Sequence, residues 1–196
     1  MSSDEDAIRE KKIIGILNQE IEDGADLASE ARRTIEYLLR EKKGYAEAEV
    51  RKDVIFDVVL GQEKLASSVD FLVTCEGRTA MIIKCAAGSL DSRERQGIAA
   101  ARLLGAAIAV VADPVTAEVL DAATGTVMGE GFGSIPVREQ LPTLLAEREV
   151  KPLSPERIEK EKRILLAFDA IRCSVPQGGE GGVRIGPDPA APQGDC

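Results

Sequence analysis

Two apolar runs, Val69-Asp70-Phe71-Leu72-Val73 and Met81-Ile82-Ile83-Lys84-Cys85, each carry one charge inside what otherwise reads as buried β-strand. A carboxylate or an ammonium in such a place is costly unless it is paired or ligated. A hairpin between the two strands can supply the pair. With Glu76-Gly77-Arg78 as a three-residue hairpin loop, Cys75 stands opposite Thr79. Counting back sets Leu72 opposite Ile82 and Asp70 opposite Lys84, with Cβ atoms roughly 5 Å apart. The same register puts Val69, Phe71, Val73, Met81, Ile83 and Cys85 on one apolar face, and a slip of one residue mixes the faces.

Around this hairpin the chain alternates helix and strand patterns. An acidic amphipathic helix is expected over residues 4–22, with Ile8, Ile13, Leu17 and Ile21 as its stripe and Asp23-Gly24 as its end. A second helix runs from Asp26 to Lys43, facing inward with Leu27, Ala31, Ile35, Leu38 and Leu39. Val50–Leu60 alternates as a strand, and the hairpin strands follow as Ser68–Cys75 and Thr79–Cys85. An alanine-rich helix, Ser92–Leu104, is suited to lie close against a sheet, and Ala107–Ala112 and Ala117–Leu120 read as short strands. Residues 129–134 are Gly-rich, and Val137–Leu145 reads as a short helix. Ser154-Pro155-Glu156 starts a helix reaching about residue 172, with Ile158, Leu165, Phe168 and Ile171 inward. From Ser174 the chain is Gly, Pro and Gln without periodicity, so a disordered tail is expected over 174–196. The order is helix, three strands, helix, strands: an α/β arrangement.

Composition narrows the chemistry. There is no histidine, which removes Ser-His-Asp triads and most zinc sites. The four cysteines, at 75, 85, 173 and 196, form no CxxC pair, so any metal would be a hard ion on carboxylates, Mg²⁺ or Mn²⁺. No apolar run approaches the ~20 residues of a membrane span. The acidic start Met1-Ser2-Ser3-Asp4-Glu5-Asp6 is unlike a signal peptide, so a cytoplasmic location is expected. The net charge of −9 argues against indiscriminate nucleic-acid binding. Residues 31–52 nevertheless hold seven bases against four acids. They read either as a solvated helix face or as a modest phosphate-facing patch.

Asp70 and Lys84 have two readings. One is a structural salt bridge. The other is a metal-dependent phosphodiesterase site, with the aspartate on Mg²⁺ and the lysine orienting water or stabilising developing charge.

Ser68-Val69-Asp70-Phe71-Leu72-Val73, followed by Met81-Ile82-Ile83-Lys84-Cys85, resembles the PD-(D/E)xK nuclease core. More narrowly, the chain is similar to stand-alone proteins related to the N-terminal nuclease domain of type I restriction enzyme R subunits. The similarity continues through Ser92-Arg93-Glu94-Arg95, Ala99–Leu104, Ile108–Val111 and Ala117–Asp121, covering roughly residues 25–150. It implies a restriction-endonuclease-like core: helix, three-stranded antiparallel meander, helix and further strands. The flanking parts are an N-terminal helix within 1–24, a C-terminal helix within 151–173 and the tail.

The resemblance makes Asp70 and Lys84 the catalytic residues of a Mg²⁺- or Mn²⁺-dependent DNA endonuclease. The acid two residues before the lysine is here Ile82, and the motif's proline is Val69. A relocated metal ligand would be Glu94, Glu36 or alternatively Glu30, and Gln96 corresponds to a polar helix residue of the restriction subunits. Arg32, Arg33, Lys52, Arg93 and Arg95 are the candidate nucleic-acid contacts, with DNA the implied substrate. A homodimer or restriction-modification subunits are the implied protein partners. The alternative function is a catalytically degenerate nuclease fold that binds DNA or a protein. A third is an oligomerising protein that uses the stripes of its terminal helices.

Overall fold

The computed structural model describes residues 24–87, 90–148, 150, 152–169 and 183–185. The expected helix over 4–22 and most of the expected tail lie outside the described residues. Helix α1 covers residues 24–37 and widens into a π turn at Leu38–Lys42, where Lys43 N–H donates to Leu38 O. The strands are β1 (Val50–Leu60), β2 (Glu63–Cys75), β3 (Arg78–Cys85), β4 (Ile108–Ala112), β5 (Ala117–Asp121) and β6 (Val127–Glu130). Helices α2 (Asp91–Leu103), α3 (Leu141–Ala146) and α4 (Pro155–Asp169) complete the fold. A short β7, Val183–Ile185, lies parallel to β1, so part of the span expected to be disordered forms a strand. Strand β6, Val127–Glu130, was not expected either; its second half falls in the Gly-rich stretch 129–134.

The sheet order is β6-β5-β4-β3-β2-β1-β7, with β3 and β4 parallel and the other pairs among β1–β6 antiparallel. Parallel neighbours need a crossover, and α2 supplies it. One face of the sheet packs Phe71, Val73, Met81, Ile83 and Val110 against Ala31, Ile35 and Leu39 of α1. The other packs Leu72, Ile82, Ala109 and Val111 against Ile98 and Ala99–Ala101 of α2. A Cβ on Gly97 would meet Val111 Cγ1 at 3.0 Å, so α2 lies as near the sheet as its small residues allow. Among the described residues no helix is long and apolar enough to cross a membrane.

The hairpin reaches the expected register by a different route. Its loop is the two-residue Glu76-Gly77, both at positive φ (51° and 77°), the pattern of a tight type I′ turn. Cys75 therefore pairs with Arg78. A bulge at Ala80 then absorbs one residue, and Leu72 pairs with Ile82 as the apolar pattern requires. Val69 departs from the expectation. It belongs to the α2-side core, whereas Phe71, two residues on, belongs to the α1-side core. The alternation breaks at Asp70, which faces Asp53 of β1 between the pairs Lys52↔Phe71 and Val54↔Val69. Asp53 has a φ of 51°, and this distortion turns both strands over at one point.

Helix α4 closes the α2 side. Its buried positions are Glu161, Leu165 and Asp169, at i, i+4 and i+8, so two carboxylates lie where an apolar stripe was expected. Glu161 takes Arg102 Nη1 of α2 at 2.9 Å and also Arg157 Nε. This face packs on the α2-side core. Removing one partner from a buried pair leaves the other charge stranded. Glu161→Ala is therefore expected to destabilise the fold by on the order of 3 kcal/mol, read by urea unfolding; an unchanged midpoint would refute this role for the pair.

Candidate functional site

Asp70 reaches the α1 side through the distortion it shares with Asp53. Its Oδ1 accepts Arg32 Nη1 at 2.8 Å, and its Oδ2 accepts the backbone N–H of Cys85 at 2.7 Å. The second fork nitrogen of Arg32 donates to Asp53. The guanidinium also lies 6.0 Å from the centroid of the Phe71 ring. Burial works against the Arg32 charge. The hydrogen bond to Asp53 and the carboxylates of Asp70 and Asp53 outweigh it, raising the arginine pKa above its ordinary value. Arg32, expected as a nucleic-acid contact, is thus the cation of an internal bridge. Asp70 is held by Arg32 and the Cys85 N–H, two contacts that the expected register did not include.

Lys84, 1% exposed, donates from Nζ to Ser68 O at 2.6 Å. Next to Ser68 begins a buried polar chain that sequence reasoning did not find. Ser67 Oγ donates to Asp169 Oδ2 at 2.6 Å, Gln96 Nε2 donates to Asp169 Oδ1, and Arg93 Nη1 donates to Gln96 Oε1 at 3.1 Å. Gln96 is 0% and Asp169 5% exposed. Three elements meet there: β2, α2 and the last residue of α4. The available signal was the spacing of Glu161, Leu165 and Asp169 on one face of α4, but apolar neighbours at 158, 164 and 168 masked it.

The proposed metal ligands are not gathered. Glu36 pairs with Lys52, Glu30 is exposed on α1, and Glu94 lies part-buried on α2. Ile82 is fully buried in the α2-side core. No group of three or more potential ligands exists among the described residues. Mg²⁺ normally needs one or two free carboxylates plus water. Asp70 and its neighbour Asp53 already share the Arg32 cation, whose charge would repel a dication, so the residues present do not fit the ion. Of the five candidate phosphate contacts, Arg32, Lys52 and Arg93 have partners within the protein, while Arg33 and Arg95 are exposed.

A separate cavity of about 730 Å³ is lined by Arg102, Asp121, Arg148 and Arg157 among others, and shares no residue with the Asp70–Lys84 region. Its arginines face protein acids: Arg102 and Arg157 meet Glu161, and Arg148 lies 3.3 Å from Asp121. Comparison with family models, with curated proteins and with solved structures returns no match.

Cys85 sits between these charges. Burial, and next the Asp70 carboxylate, push its thiol pKa well above the ordinary value, against the lowering effect of Arg32 and Lys84. A buried neutral thiol is unreactive. Cys85 is expected to stay unmodified by a thiol reagent at pH 8 until the protein is unfolded, as read by peptide mass spectrometry. Rapid native labelling would contradict the packing described for it.

Proposed function

We propose that this chain is a nuclease-like α/β module that works by binding and does not cut DNA. The observation that carries the reading is the occupancy of Asp70 by Arg32 and Cys85 N–H. Buried Ile82 at the acid position supports it. The element order, helix, three-stranded meander, helix and a strand parallel to the third, is the order the restriction-endonuclease resemblance implies. It supports common architecture, while function rests on the site. A protein partner is favoured over DNA. The net charge is −9, and three of the five candidate phosphate contacts already serve internal partners. Restriction-modification subunits are the partner class that the resemblance suggests.

A second reading keeps Asp70 and Lys84 as the site of a Mg²⁺-dependent endonuclease, favoured by their placement on adjacent strands. The two readings part in one assay. The full chain is incubated with supercoiled plasmid and with single-stranded DNA, in Mg²⁺ or Mn²⁺, beside Lys84→Ala and Asp70→Asn. No cleavage above the variants, and no gel shift of either DNA near physiological salt, is the outcome expected. Metal-dependent cleavage lost in both variants would replace this reading with the endonuclease.

A further inference from the structure

Asp53 and Asp70 face each other across β1 and β2, and one guanidinium serves both. Two carboxylates placed this way repel unless a cation lies between them. We propose that Arg32 is the resident cation of this two-carboxylate site, taking the place of a divalent ion and keeping the wild-type chain from taking one up there. The inference deepens the non-cutting reading and rests on it through Asp70. Its readout is ion uptake, so either can fail while the other stands.

Three observations carry it. The planar fork contacts Asp70 through one terminal nitrogen and Asp53 through the other, a span that the point charge of a lysine cannot copy. The Arg32 guanidinium also lies 6.0 Å from the ring centroid of Phe71, which packs on the α1 side of the sheet. The Asp53 side chain is 48% exposed, so water can reach the position the fork occupies. A hard dication needs one or two carboxylates with water filling its remaining positions, and removal of the guanidinium leaves that donor set.

The test is a Mn²⁺ titration of the full chain by calorimetry, with thermal unfolding in chelator and in Mn²⁺. It compares wild type, Asp70→Asn, Arg32→Gln and the Arg32→Gln, Asp70→Asn double variant. Wild type should show no uptake that Asp70→Asn removes, and the same unfolding midpoint with or without the ion. Arg32→Gln should gain Mn²⁺ uptake and a higher midpoint in Mn²⁺, and the double variant should lose both gains. Should Arg32→Gln be unfolded in chelator, recovery of its helical circular dichroism on adding Mn²⁺ is the expected result. Arg32→Met, which keeps an apolar stem beside Phe71, provides a second reading of the same effect. Asp70-dependent uptake by the wild-type chain would overturn the proposal. So would Arg32 variants that neither bind Mn²⁺ nor are stabilised by it.

Discussion

Strands β3 and β4 are buried on both faces, and much of the architecture follows from that condition. Met81, Ile82, Ile83, Ile108, Ala109, Val110 and Val111 are all fully buried, so each side of the sheet needs an apolar cover. Helix α1 covers one side with Ala31, Ile35 and Leu39. Helix α2 covers the other while joining β3 to its parallel neighbour β4. Residues Gln96–Ala101 of α2 are buried in an unbroken run, which no helix on a solvated sheet can sustain. Its outer side therefore requires α4.

The polar chemistry is subordinate to this packing. A charge forced into the sheet has to find its counter-charge in whichever layer lies above it. Asp70 turns toward α1 and meets Arg32, and the turn is possible because Asp53 takes a left-handed backbone conformation beside it. The chain from Ser67 through Asp169 to Gln96 and Arg93 shows the same logic, with its polar groups linked to one another beneath α4. Asp70 is thus held from the α1 layer by Arg32, while Lys84 Nζ donates to the backbone of the neighbouring strand at Ser68 O.

This division explains why the site was only partly legible. Leu72 opposite Ile82 was readable because the apolar alternation permits one register, even though the loop is shorter than expected and a bulge corrects the count. The small residues of α2 were readable as a close-packing helix, as Gly97 against Val111 bears out. Arg32 was not readable as a bridge. Its place in a run of bases at 31–52 carries no sign of what lies beneath α1. Asp53 was hidden as one polar residue in an alternating strand, and Asp169 as an acid at the end of an amphipathic helix.

What the sequence determines by itself is the order and type of the main elements, from the second helix through the meander to β5, together with the apolar identity of the central strands. Those follow from periodicity, which is local and depends on neighbours a few residues apart. Only the tertiary structure decides which cation holds Asp70, where Val69 points and which carboxylates α4 buries. Arg32 lies 38 positions from Asp70, and Asp169 lies 102 from Ser67. Contacts at that range depend on how the layers stack, and charges settle where the packed apolar faces leave them a partner.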